Sequence, residues 1–292
     1  MRDSFTIART ITASLAISIL FTSLSYGGKP ATRPVLAPPP SYADVADRAL
    51  ASDIVASAVV SKASRLDQKR FSGLPSGTER VLLDVRITTL IRGPLGQAQD
   101  VQFLADITLD TKGRLPKLRK QPLLIFADQV AGATGQVQLL DRYAVLPWSL
   151  EIETLARNIL IAAQAPSAAP RIKGIGHVFS VAGSVPGENE TQIFLESENG
   201  RPVSLSVLRR PGEQPRWMVS LDEIVDEAAA DPAPGSLTWY RLACALPSTL
   251  PASATAGMEP AAAETALQDF GLIIEQLGTC SRTVPPLAAA AR

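Results

Sequence analysis

The chain has 292 residues, 46% hydrophobic and 19% charged, with 28 Lys plus Arg against 28 Asp plus Glu. That length suits one large domain or two small ones, and aromatics at only 5% predict aliphatic, alanine-rich cores. Balanced charge gives the chain as a whole no electrostatic footprint for nucleic acid and no polybasic surface for anionic lipid.

The first residues, MRDSFTIARTITASLAISILFTSLSYGG, place Arg2 and Arg9 before an uncharged, mostly apolar run from Ile11 to Leu24, followed by the small residues Ser25 and Gly27. This is the layout of a secretory signal peptide over 1–27, cleaved near Gly27. The alternative is an uncleaved N-terminal transmembrane anchor over Thr10–Gly28. The Ser and Thr content and the lack of a stop-transfer charge cluster favour cleavage. The expected location is therefore periplasmic or secreted, with membrane association only if this segment is retained. No cysteine lies near the cleavage point, which argues against a lipoprotein.

Residues 28–40, GKPATRPVLAPPP, form a Pro-rich linker, because proline at this density disfavours helix and strand interiors. Ser41 and Asp44 then make a reciprocal capping pattern that opens a short helix with Tyr42, Val45, Ala46, Ala49 and Leu50 on one face. An apolar β-branched run from Asp53 follows. In RVLLDVRITTLIRG, Val81, Leu83, Val85, Ile87 and Ile91 alternate with polar or outward positions, the pattern of a half-buried strand. Strands are also expected over 101–107, 122–128 and 135–140. Five strands with short connections predict a small antiparallel β-barrel or sandwich. SLEIETLARNILIAAQ closes this region as a helix, with Ser149 as N-cap and Glu151 and Glu153 in the first turn, where they suit the helix dipole. The domain so defined spans 41–165, and APSAAP (165–170) reads as a boundary.

A second α+β domain, a β-meander plus helices, is expected over 171–280. Ile175, His177, Phe179 and Val181 share one strand face. Asn199-Gly200 predicts a two-residue hairpin turn, with Glu198 opposite Arg201 and Phe194 opposite Leu205. Ser220 to Glu223 is a second capping box, opening a helix through Ala229 with Leu221, Ile224, Val225 and Ala228 as its stripe. SLTWYRLACALP reads as a short helix carrying Cys244. The last helix runs from about Pro260 to Leu277, with Ala266, Leu267, Phe270, Ile273, Ile274 and Leu277 as its apolar face and Gly278 as its stop. Two cysteines in an exported chain predict a Cys244–Cys280 disulfide holding that helix. Residues 281–292 are expected to be a flexible tail.

Little in the chain reads as chemistry. It has no GxSxG, HExxH, CxxC, SxxK or glycine-rich phosphate loop. His177, the single histidine, is the catalytic candidate, but a base needs a nucleophile and an orienting group, so a partly buried imidazole with one hydrogen bond is the favoured reading. The pairs Asp222/Asp226 and Glu223/Glu227 could act as acid and base, although a first helical turn favours carboxylates on dipole grounds alone. Arg209, Arg210, Arg216 and Trp217 surround one turn and are the binding candidates, since Arg beside Trp can stack on a ligand or partner. The rival view of that turn is an exposed hairpin end with solvated charges. Trp239, Tyr240 and Arg241 repeat the theme, with packing preferred. Asn189-Glu190-Thr191 matches a glycosylation sequon. No metal or cofactor is expected, because zinc sites need several His or Cys ligands and the cysteines are paired.

Residues 53–140 place a strand ending in LIRGP, then VQFLAD, then a basic segment before PLLIFAD. That order resembles exported OB-fold-like, netrin-like modules. The resemblance implies an OB-like barrel. Netrin-like metalloproteinase inhibitors chelate the protease zinc through an N-terminal cysteine, and the mature start here has none, so that role does not carry over. ETQIFLESENGRPVSLSVLRRPGEQPRW resembles bacterial exported proteins of unknown function. The combined expectation is an α+β, non-catalytic, exported protein that binds another protein or a cell-envelope component. A periplasmic hydrolase using His177 or an acidic pair, and a membrane-tethered envelope factor, are the alternatives.

Overall fold

The computed structural model describes residues 39–221 and 231–287. The leader, most of the linker, the helix expected from Ser220 and the carboxylate pairs at 222–227 lie outside the described residues.

The first helix, α1 (Tyr42–Ala51), starts where its cap predicts. Ser41 Oγ accepts from Asp44 N (3.1 Å), and Asp44 Oδ2 accepts from Ser41 N (2.8 Å). Six strands follow: β1 (Ile54–Arg65), β2 (Thr78–Arg92), β3 (Asp100–Thr108), β4 (Pro122–Gln129), β5 (Val137–Leu139) and β6 (Val145–Pro147). They form one antiparallel sheet in the order β3-β2-β1-β4-β5, with β6 also paired to β4. β6, three residues long, was not among the five expected strands. In β2 the alternation holds, with Val81, Leu83, Val85 and Ile87 buried. The central strands instead bury continuous runs, Ile54–Ala58 and Leu124–Ala127, as strands covered on both faces do. β3 reaches the residue before β5 through an isolated parallel bridge between Gln102 and Gln136, beside a bond from Gln102 N to Gly135 O (2.9 Å), and no ladder joins β3 to β5 among the described residues. The sheet is therefore not a closed barrel. α2 (Leu150–Gln164) begins at Ser149, whose Oγ accepts from Ile152 N, and its Glu153 accepts from Ser57 Oγ of β1 at 2.7 Å.

The second sheet is an antiparallel meander, β7 (Ile172–Ala182), β8 (Asn189–Ser197), β9 (Val203–Arg209) and β10 (Arg216–Ser220), in the order β10-β9-β8-β7. α4 (Pro260–Leu277) packs on it through Ala266, Phe270, Ile273 and Leu277, against Val178, Ile193, Leu205 and Trp217. Burying Phe270 and Ile273 stabilises this contact by roughly 1.5–3 kcal/mol each. The fold is thus α+β, with two antiparallel sheets and, among the described residues, four α-helices.

Three expectations change. The β8–β9 hairpin pairs Phe194 with Ser204 and Ile193 with Leu205, one residue off the predicted register. Pro202 has no N–H for the ladder. The loop closes instead with Asn199 Oδ1 accepting from Arg201 N and Ser197 Oγ donating to Arg201 O, with Gly200 at φ +73°. Secondly, β7 does not keep one face. Register shifts lie between Ile172 and Gly174 and between Ile175 and Val178, so Val178 is buried while His177, Phe179 and Val181 are exposed. On α4, Leu267 is exposed and Asp269 occupies the buried face.

The described residues share one compact unit. α3 (Leu237–Ala243) puts Leu237 and Tyr240 into the first core and Leu242 into the second. Trp239 Nε1 donates to Leu277 O at the end of α4 (2.7 Å). Cys244 and Cys280 are bonded, with Cα atoms 5.1 Å apart. Residues 281–285, expected as free tail, instead strap back to α1. Arg282 pairs with Asp47 (2.8 Å), Thr283 N and Oγ1 donate to Asp44 Oδ2 (3.0 and 2.8 Å), and Pro285 O accepts from Arg48 Nη2 (3.3 Å). Burial pushes the Asp44 carboxyl up, but the bonds from Thr283 and Ser41 outweigh it and hold the pKa below the ordinary value.

Candidate binding cleft

A cleft of about 970 Å³ lies on the outward side of β1–β3. Its floor comes from the outward positions of the alternation. Arg86 and Asp100, paired across β2 and β3, form a two-pronged ion pair at 2.9 and 3.0 Å. The Asp100 hydrogen bond raises the pKa of Arg86, and the Arg86 hydrogen bond lowers that of Asp100, so both carry full charge at neutral pH. One step along, Gln102 Nε2 donates to Asp84 Oδ1 at 2.5 Å, and Ser61 Oγ donates to Asp84 O at 2.9 Å. Thr88 Oγ1 donates to Ser57 O (3.0 Å).

Loops make the walls. The β4–β5 loop contributes Gly132 to Gln136. On the other side Arg119 and Lys120 reach the rim. Lys120 is the single described non-glycine residue with positive φ (+68°). It is held there by two backbone bonds, Lys120 N to Val60 O (2.8 Å) and Val60 N to Gln121 O (3.0 Å). A non-glycine residue in this region costs about 1–3 kcal/mol, which those bonds offset. The cleft therefore presents paired charges, amides and hydroxyls together, a surface suited to a polar ligand that both donates and accepts hydrogen bonds.

A second cleft of about 1320 Å³ lies beside α3. Its polar groups largely hold the structure together. Tyr240 OH donates to Asp47 (2.6 Å), Arg282 pairs with Asp47, and Arg171 lies 3.6 Å from Glu198. Burial, and then the Asp47 hydrogen bond, pushes the Tyr240 phenol up, and burial takes Tyr42 up to about 12. Arg241 sits 5.7 Å over the Tyr240 ring, its pKa lowered by burial, with no hydrogen-bond partner for Nε among the described residues. The Trp239-Tyr240-Arg241 stretch is thus packing.

The sequence candidates do not converge. Arg209 turns inward to Asp269, fully buried on α4, at 2.6 Å from Nε and 2.5 Å from Nη2. Thr191 Oγ1 donates to the other Asp269 oxygen (2.5 Å), and Ser180 Oγ donates to Asn189 Oδ1 (3.0 Å). Trp217 also faces the core, its Nε1 without a hydrogen-bond partner among the described residues. Arg210 and Arg216 remain exposed. The turn therefore splits: two members pack and two face solvent. His177 is exposed at the β7 bulge rather than partly buried. The sequon's Thr191 is buried in the folded chain.

Sequence reasoning passed over Asp84, Arg86, Gln102 and Gln136. Their signal was the alternation itself, because the outward positions Asp84, Arg86 and Thr88 of β2 and Asp100 and Gln102 of β3 carry hydrogen-bonding side chains. Among the described residues, no group of three or more His, Cys, Asp or Glu is placed to hold a metal ion, and no helix is long and apolar enough to cross a membrane. No family model matches the chain, and no curated protein matches it.

Proposed function

We propose that the chain is an exported binding protein, periplasmic or secreted, that holds a polar cell-envelope component or a polar segment of another protein in the cleft over β1–β3. The observation that carries this reading is the cleft lining, in which Arg86–Asp100, Asp84–Gln102 and Thr88 on the sheet and Gln136 on the β4–β5 loop offer donors and acceptors together. Export is supported by the leader and by the Cys244–Cys280 bond, since disulfides persist in oxidising compartments. The order β3-β2-β1-β4-β5, with one isolated bridge from β3 to Gln136 just before β5, supports an OB-like, partly open barrel.

The test is a ¹H–¹⁵N NMR titration of the purified protein with solubilised envelope polysaccharide and, separately, with a soluble envelope-protein fraction. Shifts centred on Asp84, Arg86, Gln102 and Gln136, lost in Gln102→Ala/Gln136→Ala, are expected. Perturbation elsewhere only, or ester, peptide or glycoside turnover abolished by His177→Ala, would overturn the reading.

A further inference from the structure

Charge is not spread evenly over this neutral chain. Residues 61–80 and 109–121 hold ten Lys and Arg against three Asp and Glu. The remainder is correspondingly acidic. The topology brings both segments to one end of the first sheet. β1 ends and β2 begins there, and β3 ends and β4 begins beside them, with Leu109 N bonded to Gly77 O (2.8 Å) and Lys120 N to Val60 O. Three of the ten cations are bound: Arg65 to Glu79, Arg80 to Asp106 and Arg114 to Asp110. The other seven, Lys62, Lys69, Arg70, Lys112, Lys117, Arg119 and Lys120, are exposed, with no ion-pair partner among the described residues.

We infer that this basic pole docks the folded protein on an anionic lipid surface. Lys69, Arg70, Lys112 and Lys117 stand on the connections between strands, outside the cleft lining, so they match a planar array of headgroup charges better than one bound anion. Each Lys or Arg near an anionic bilayer contributes about 1 kcal/mol, so seven together are a substantial attraction. The acidic remainder gives the molecule a dipole that points this one end at a negative surface and repels the rest. Half-exposed Leu74 lies among the cations, an apolar group able to enter the headgroup region. Single-stranded nucleic acid is less well served, because it needs free aromatic platforms. The ring within the patch, Phe71, is already covered by Arg80 (5.4 Å). This inference does not depend on the cleft.

The experiment is co-sedimentation of the full chain with vesicles of phosphatidylcholine alone and of equimolar phosphatidylcholine and phosphatidylglycerol. Two variants are compared, Lys69→Gln/Arg70→Gln/Lys112→Gln/Lys117→Gln and the control Arg210→Gln/Arg216→Gln. Binding to the anionic vesicles alone, weakened by salt, is expected, with a loss of about fivefold per neutralised cation in the first variant. The control should bind as the parent does. Unchanged thermal unfolding of the first variant shows that it folds. Three outcomes overturn the inference. Binding indifferent to lipid charge and salt would assign it to the apolar leader. Equal loss in both variants would make it non-specific. Capture of an oligonucleotide without vesicles, or displacement by inorganic phosphate at matched ionic strength, would point to another anion.

Discussion

The two sheets are held together by different physics. The first buries unbroken aliphatic runs in β1 and β4 and carries solvent-facing cross-strand pairs such as Arg86–Asp100, its buried guanidinium, Arg48, standing on α1 rather than on the sheet. The second closes over a carboxylate, Asp269, with Arg209 and Thr191 supplying what water would have supplied. A hydrophobic core tolerates loss of any one surface pair, since such pairs contribute about 0–1 kcal/mol. A core built over a buried charge depends on its partner.

Breaking that dependence should give the largest effect. Arg209→Ala strands Asp269 without a counter-charge or water and is expected to cost about 3–5 kcal/mol in urea unfolding at neutral pH. Asp269→Asn should cost less, about 1–3 kcal/mol, because Arg209 is 29% exposed and can turn to solvent. The reverse ranking would mean that Asp269 is not the constrained member. Arg86→Ala in the first sheet, whose pair is solvent-exposed, should leave the urea midpoint essentially where it is.

Next in size is the disulfide. Its sequence separation is 36 residues, and Cys244→Ser/Cys280→Ser should lose about 3–4 kcal/mol on the chain-entropy estimate. Because the bond joins α3, which touches both cores, to the strap on α1, unfolding of the reduced protein should lose protection in both sheets together. Amide exchange that opens the second sheet alone would show that the cores are not coupled.

Acid should act on the strap. Asp44 has a folded pKa below its unfolded value, so its contribution is fully present above about pH 4 and disappears as the pH falls through the lower folded value. The stability difference between the parent and Asp44→Asn should be flat at neutral pH and shrink below about pH 4. A difference that grows on acidification would contradict the bonds assigned to Thr283 and Ser41.

The smallest effects are local and serve as matched controls, one in each region. Ser149→Ala removes the α2 cap and Gly200→Ala strains the hairpin, each for about 1 kcal/mol by thermal unfolding.

What the sequence made legible was local. Ser41 and Ser149 cap their helices, β2 alternates, and the cysteines pair, because each signal lies within a few residues or has one possible partner. Register was harder. Pro202 and the glycines at 174 and 176 shift the pairing of β7–β9, and a bulge reverses every face beyond it. The role of Arg209 was hidden because Asp269 lies 60 residues away, on a helix whose apolar stripe reads well enough with Leu267 in its place. The basic pole was hidden by averaging, since equal totals of charge say nothing about where topology collects them.

The claim that most else rests on is that the strap and the disulfide make one body of two cores outside the cytosol. Thiol trapping during cell fractionation tests it directly. The account predicts protein in the extracytoplasmic fraction, shortened at its N-terminus, with Cys244 and Cys280 resisting alkylation until reduced. Full-length chain in the cytosol with both thiols alkylated at once would contradict it.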